Sequence, residues 1–260
     1  MKIFNTTNIP KNYKVSALAI GNFDGVHKGH QKVFKETKKF AKRKKIKFGV
    51  LTFTPLPIMF FYKKVKNFRL ASEDQKIELF KKHQVDFVIN IKFNKKFSKI
   101  SAKDFIKKII YKKMNPQSLS VSNNFRFGRK RKGDVNLLKK FSNKYDYQLL
   151  NINPFQYSGK IVSSTRIRKC LKDGKIDLAN KLLSRTWFIE GHVKKDEKIL
   201  VIGDNIRTDI KGANNMKFDS LFIINGIHKD EFLNLTLESC EKVLEKYGVK
   251  ANYYQKRLTW

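Results

Sequence analysis

Acidic residues are scarce in this chain. Asp and Glu together number 22 against 57 Lys and Arg, a formal net charge of +35 over 260 residues. Cysteine is almost missing. The two that occur, Cys170 and Cys240, lie far apart with no metal-ligand spacing, which excludes a disulfide framework or a cysteine-held zinc. Both fit a reducing, cytoplasmic setting. Long apolar runs are absent too: none approaches the ~20 residues that span a bilayer. The opening M-K-I-F-N-T-T-N-I-P lacks the apolar centre of a signal peptide, so no membrane partner is expected. What the chain does have is a core: 41% hydrophobic residues, with 22 Phe and 9 Tyr.

The positive charge invites a nucleic-acid reading, but 47 of the 57 basic residues are Lys and they are spread along the whole chain. Phosphate and base readers concentrate charge and favour Arg, so compositional drift is the preferred explanation and nucleic acid is not the favoured partner. The excess still attracts anionic nucleotides in a salt-dependent way. It is also uneven. Residues 197–260 hold 10 basic and 9 acidic side chains, leaving a net of +34 for residues 1–196. Such a break marks a domain boundary.

In the first part, apolar runs predict strands at Val15–Ile20, Ile46–Phe53, Asp86–Ile91, Ser118–Ser122 and Tyr147–Ile152. Amphipathic patterns predict helices at His30–Lys44, Ser72–Lys82, Ser101–Tyr111 and Gly133–Asn143. Ser72 and Gln75 form a capping-box signature. Alternating strand and helix implies an α/β, Rossmann-like, doubly wound parallel sheet, with ligands bound beyond the carboxyl ends of its strands.

Four stretches fall at those ends. The first, A-I-G-N-F-D-G-V-H-K-G-H-Q-K-V-F (Ala19–Phe34), runs from strand through a glycine turn into a helix, a ready phosphate site. His27 in the turn and His30 in the first helical turn can serve one polyphosphate. Alternatively, one is solvated and the other satisfied by a carbonyl. The second, T-F-T-P-L-P-I-M-F-F (Thr52–Phe61), is expected to be an extended loop rather than a helix, because of its two prolines. The third, V-S-N-N-F-R-F-G-R-K-R-K-G-D (Val121–Asp134), alternates aromatic and Arg residues around Gly128 and Gly133. That composition suits a phosphate-bearing aromatic ligand or, more plainly, a solvated basic loop. The fourth, I-V-S-S-T-R-I-R-K-C-L (Ile161–Leu171), opens a helix with hydroxyls and places Arg166 and Arg168 near its positive end. Something anionic should compensate them.

The string G-N-F-D-G-V-H-K-G-H resembles the H-x-G-H motif of the nucleotidyltransferase superfamily. In its full form it resembles the adenylyltransferase domain of bacterial bifunctional riboflavin kinase/FAD synthetases. F-R-F-G and I-V-S-S-T-R-I-R resemble that family's segments as well, and the likeness runs from about Lys14 to about Val193. It departs at Leu56, where the family has a histidine in T-F-x-P-H-P. The resemblance implies transfer of AMP from ATP to FMN, giving FAD and pyrophosphate. His27, His30 and Arg168 would be catalytic, Gly21, Asn22, Asp24, Gly29, Ser164 and Thr165 would bind ATP, and Asn124, Arg126, Gly128 and Arg129 would bind FMN. Mg²⁺ would bridge the phosphates. A different nucleotidyl transfer on the same scaffold, or a basic flavin- or nucleic-acid-binding protein without catalysis, are the alternatives.

The expected domains are a transferase over residues 1–184, a linker over 185–196 resembling the start of a riboflavin kinase domain, and a fragment over 197–260. The kinase hallmark G-x-P-T-x-N appears nowhere in the sequence, so riboflavin phosphorylation is not expected. The last part, K-I-L-V-I-G-D-N-I-R-T-D-I-K-G-A-N-N-M (Lys198–Met216), then a strand at Ser220–Ile224 and a helix near Leu235–Tyr247, predicts a short βαβα piece. It resembles the C-terminal part of haloacid-dehalogenase-type phosphatases, where Asp204 and Asp209 would hold Mg²⁺. No D-x-D nucleophile motif precedes it. An inert remnant is therefore expected, against the alternative of a phosphatase completed by another chain.

Overall fold

Strand β2 (Ala17–Ile20), wholly buried, sits near the middle of a six-stranded parallel sheet ordered β1-β4-β3-β2-β5-β6. The sheet belongs to a computed structural model that describes residues 1–62, 69–190, 199–232 and 236–257. The chain divides into two compact units, Met1–Glu190 and Gly191–Trp260.

In the first unit, β1 (Lys2–Phe4) pairs with β4 at the sheet edge. After β2 come α1 (Lys28–Lys44), β3 (Phe48–Thr54), α2 (Pro57–Phe61), α3 (Glu73–Lys82) and β4 (Phe87–Lys92). Then follow α4 (Lys95–Ser98), α5 (Ala102–Asp104) continuing as a π-helical stretch Phe105–Met114, β5 (Ser118–Ser122), α6 (Val135–Ser142) and β6 (Gln148–Ile152). A small hairpin, β7 (Gln156–Tyr157) with β8 (Lys160–Ile161), leads to α7 (Ser164–Lys172) and α8 (Ile176–Leu183). The five strands and four helices expected in this part are present, with ends shifted by a few residues. β1 was not anticipated, since Lys2–Phe4 is too short to show a pattern.

Each sheet face buries a separate core. Val33, Phe34, Phe40 and Ala41 of α1 meet Phe80 of α3 over Ala17, Ala19, Val50 and Val88. On the other face, Phe105, Ile106, Ile109 and Ile110 meet Leu138 of α6 over Leu18, Leu51, Ile89 and Leu119. Alternate residues of the strands serve opposite faces, as the pleat requires. The chain steps outward on one side of β2 to β3 and β4, then returns to its other side with β5. β2 therefore lies at a topological switch point, where such sheets place ligands.

One expectation fails. Thr52–Phe61 is not extended throughout: α2 occupies Pro57–Phe61, with Pro57 at its first helical position. A proline there loses no helical hydrogen bond, and its fixed φ suits a helix start. Leu56, at the position of the family's histidine, is buried and caps that helix.

The second unit is a three-stranded parallel sheet ordered β11-β10-β9, formed by β9 (Leu200–Gly203), β10 (Asp219–Ile223) and β11 (Tyr253–Gln255). A π-helical turn, Ile206–Ile210, runs into α9 (Lys211–Asn215), and α10 (Leu237–Lys246) covers a core of Ile206, Ile210, Phe222, Cys240 and Leu244. β11 extends the expected βαβα order by one strand. Lys198, Leu235 and residues 191–196 of the expected linker lie outside the described residues. No helix among the described residues is long and apolar enough to cross a membrane.

Candidate active site

β2 ends at Gly21, and the chain must then reverse before α1 begins at Lys28. It does so through left-handed backbone at Phe23 (φ 50°), Gly25 (φ 75°) and Val26 (φ 41°). Only glycine adopts that region freely, and a Cβ on Gly25 would come within 2.8 Å of the Leu70 side chain. His27 caps α1 in extended conformation, and His30 stands one turn on. Their rings stack with centroids 3.6 Å apart and planes 20° off parallel, while Phe23 meets the His30 ring edge-on. Gly29 makes room for this pair, since a Cβ there would lie 3.0 Å from His27 Cε1.

Both imidazoles are neutral at pH 7. Burial lowers His27 to about 4, assisted by the charges of Arg168 and Arg185. Burial, and then His27, holds His30 well below the ordinary range. Each neutral ring keeps one N–H to donate. The Nδ1 atom of each is buried without a hydrogen-bond partner among the described residues.

Asp24 ties this turn to α7. Its Oδ2 accepts from Arg168 Nη1 at 2.7 Å, its Oδ1 accepts from the Leu70 amide at 2.9 Å, and its carbonyl accepts from Ser164 Oγ at 3.1 Å. Burial raises the Asp24 carboxyl above its usual range, while the Leu70 amide, Arg168 and Lys76 oppose that rise. The anion that Arg168 at the tip of α7 requires is thus supplied from within, by Asp24. Ser163 caps α7 by accepting from the Arg166 amide, Thr165 is exposed on the first turn, and Arg166 Nη1 donates to the Tyr157 and Lys160 carbonyls of the hairpin. So Gly21, Asp24, His27, Gly29, His30, Ser164, Thr165 and Arg168 gather around one turn. Asn22 joins them on the exposed side, its carbonyl accepting from Thr52 Oγ1 of β3.

The third stretch leaves the same edge of the sheet from β5. Phe127 and Gly133 close it by a β-bridge, and the Phe125 and Phe127 rings stack at 5.5 Å. Asn124 and Arg129 are exposed, and Arg126 forms a part-exposed ion pair with Asp134 at 3.2 Å. Gly128 (φ 72°) presses on Ala102, where a Cβ would meet backbone at 2.6 Å.

No group of three or more His, Cys, Asp or Glu able to hold a metal occurs among the described residues. Both carboxylate oxygens of Asp24 are already engaged, so that side chain offers no free oxygen to a cation. In the second unit Asp204 accepts from the Ile227 amide, and Asp209 accepts from the Asn205 amide and the Thr208 hydroxyl. Asp204 and Asp209 thus each have hydrogen-bond partners within the second unit.

Residues 9–166, more than half of the chain, match the FAD synthetase family. The chain belongs to that family. A bifunctional riboflavin kinase/FMN adenylyltransferase of Buchnera aphidicola subsp. Schizaphis graminum is 41% identical, over 74% of this chain and 62% of its own length. One of Escherichia coli strain K12 is 31% identical, over 70% and 58%. The chain therefore spans about three fifths of the curated relatives it matches. Among solved structures, a macrolide-efflux protein from Streptococcus pneumoniae is similar at a TM-score of 0.62 and 24% identity, over 70% of this chain and 59% of that one, a likeness of fold. Residues 179–247 match a HAD-hydrolase-like family.

Several partners of the site carried no signal in the sequence. Gln31 reads as one more polar residue of α1, and Arg185 as part of a linker. Yet Gln31 Nε2 donates to the Val26 carbonyl at 2.9 Å, and Arg185 Nη1 to the Gly25 carbonyl at 2.8 Å.

Proposed function

We propose that the first unit is an FMN adenylyltransferase, an FAD synthase that joins the AMP of ATP to FMN and releases pyrophosphate. What carries this is the joining of the His27–His30 turn to the tip of α7 through Asp24, Arg168 and Ser164 at the sheet's switch point. Family membership narrows the substrates to ATP and a flavin mononucleotide.

An FMN phosphate oxygen attacks the α-phosphorus of ATP in line. A P–O bond forms there as the bond to the β-phosphate bridging oxygen breaks, and pyrophosphate leaves. The attacking group is on the substrate, so the protein needs no nucleophile of its own; positioning and charge stabilisation supply the rate. His27 and His30 donate N–H bonds to phosphate oxygens as charge moves toward the leaving group. Thr165 and Ser164 offer hydroxyls, and Arg168, held by Asp24, brings its positive charge to the phosphates. Gly21, Asn22 and Gly29 let the nucleotide approach the backbone. Asn124, Arg126, Gly128 and Arg129 form the FMN side. A divalent cation would serve as the counter-ion of the nucleotide phosphates, and among the described residues no group of three or more His, Cys, Asp or Glu stands ready to hold it.

Incubating the full chain with ATP, MgCl₂ and FMN, with pantetheine phosphate and nicotinate mononucleotide in parallel, tests this. FAD and pyrophosphate should appear in equal amounts with FMN alone. Product from another acceptor, or salt-sensitive retention of nucleic acid without pyrophosphate release, would contradict it.

A further inference from the structure

Every backbone carbonyl from Asn22 to His27 has a donor. Thr52 Oγ1 serves Asn22, the Val26 amide serves Phe23, Ser164 Oγ serves Asp24, Arg185 Nη1 serves Gly25, Gln31 Nε2 serves Val26 and the Gln31 amide serves His27. Left-handed backbone at a phenylalanine and a β-branched valine costs roughly 1–3 kcal/mol each, and persists only where its surroundings over-determine it. Here those surroundings include the exit of α8. Ser184, left-handed at φ 55°, ends that helix. Its hydroxyl shares bonds with both ends of the Gln31 amide, at 2.7 Å from Nε2 and 2.9 Å from Oε1. Gln31 Nε2 also donates to the Leu183 carbonyl at 3.1 Å. Two residues beyond Arg185, Trp187 Nε1 donates to the Leu70 carbonyl at 3.1 Å, and the Leu70 amide in turn holds Asp24.

These contacts fall beyond residue 166, where the FAD synthetase match ends, and inside residues 179–247, which match the HAD-hydrolase-like family. By packing, however, they belong to the first unit, which extends to Glu190. On the reading of this unit as a transferase, we propose that Ser184 and Arg185 are part of its machinery. Arg185 is a positioning residue that fixes the backbone carrying His27, and Ser184 locks Gln31 as the second clamp. Around His27 stand His30 from α1, Asp24 from the turn, Arg168 from α7 and Arg185 from the α8 exit. The guanidinium of Arg185 is one of the two positive charges acting on the His27 ring.

The test uses full-chain variants and two readouts, steady-state FAD formation and NMR titration of His27. In Arg185→Met, kcat should fall on the order of 10²-fold, the size expected when reacting groups are misplaced by about 1 Å, with KM for FMN within about threefold. The His27 titration, which burial above all holds down to about 4, should move up by a small amount as one of its two repelling charges is lost, while burial and Arg168 keep it below the ordinary imidazole range. Arg185→Lys keeps a cation and should hold that titration near the parent's while recovering part of kcat. Unchanged kcat and unchanged titration in Arg185→Met would overturn the inference. If that variant does not fold, Ser184→Ala decides. It removes the hydroxyl bonds to Gln31 and to the Leu183 carbonyl and should lower kcat severalfold, and parent-like kcat would be the contrary result. If the parent makes no FAD, the transferase reading fails instead, while the His27 titration in Arg185→Met still decides whether this stitch holds the turn.

Discussion

At the scale of single residues, Asp24 is where charge, backbone and helix meet. Removing one partner of a buried ion pair leaves the other uncompensated, which typically costs on the order of 3 kcal/mol. Asp24→Asn keeps an acceptor for the Leu70 amide but discharges the pair with Arg168. Urea unfolding should show a loss of that order, and ATP binding should weaken as the tip of α7 shifts. Stability unchanged within error would mean that the pair is not what joins α7 to the turn. The histidines make a pH prediction with a definite sign. The unfolded chain takes up protons at its histidines near pH 6.5, whereas folded His27 does so only near 4. Stability from His27 is therefore full above about pH 6.5 and is lost as pH falls toward 4, by about 3 kcal/mol in total. His30 acts in the same direction. The raised Asp24 carboxyl opposes them, because it binds its proton earlier in the folded state. Unfolding midpoints measured between pH 4 and 7.5 should rise with pH. An NMR titration of the His27 ring should show no ionisation near 6.5, and an ionisation there would show that His27 is ordinary.

At the scale of elements, α1 and the turn before it make opposing demands on Gly29. Alanine is the better helix former by about 1 kcal/mol, yet a Cβ there would press on the His27 ring at 3.0 Å. Gly29→Ala should keep or raise Tm while lowering kcat. A fall in both would place the glycine's role in the fold and not in the ring pair. The elements themselves were largely legible in the sequence, because buried parallel strands and amphipathic helices differ so plainly in period. Ser72 and Gln75 form the capping box their spacing announced. α2 was not legible: two prolines within three residues suggest extension, but Pro57 falls at the one helical position where its missing N–H is harmless. Nor were β1 and β11, three residues each, which exist only because a neighbouring strand offers them a ladder.

At the scale of the whole molecule, charge and site connect. A net of +34 over residues 1–196 should draw a nucleotide polyanion inward, and salt screens that attraction over about 10 Å at 0.1 M. KM for ATP should therefore rise steadily between 50 and 500 mM KCl, with kcat nearly constant. A flat KM would confine recognition to short-range contacts. The strings holding His27, His30, Ser164 and Arg168 were visible as motifs because each is contiguous in sequence. Gln31, Ser184, Arg185 and Trp187 were not, since their role depends on the exit of α8 returning to a turn some 150 residues earlier, which no local pattern encodes. The same limit applies to Asp24, whose carboxylate looked available to a ligand and instead serves Leu70 and Arg168.

The grip of the twin imidazoles on the phosphates is tested most directly by His30→Ala, with single-turnover FAD formation and FMN affinity measured on the same preparation. Loss of one preorganised donor should slow FAD formation by about 10²-fold or more while the Kd for FMN stays within about threefold. Equal losses in both, or an undiminished rate, would contradict the role assigned to the ring pair.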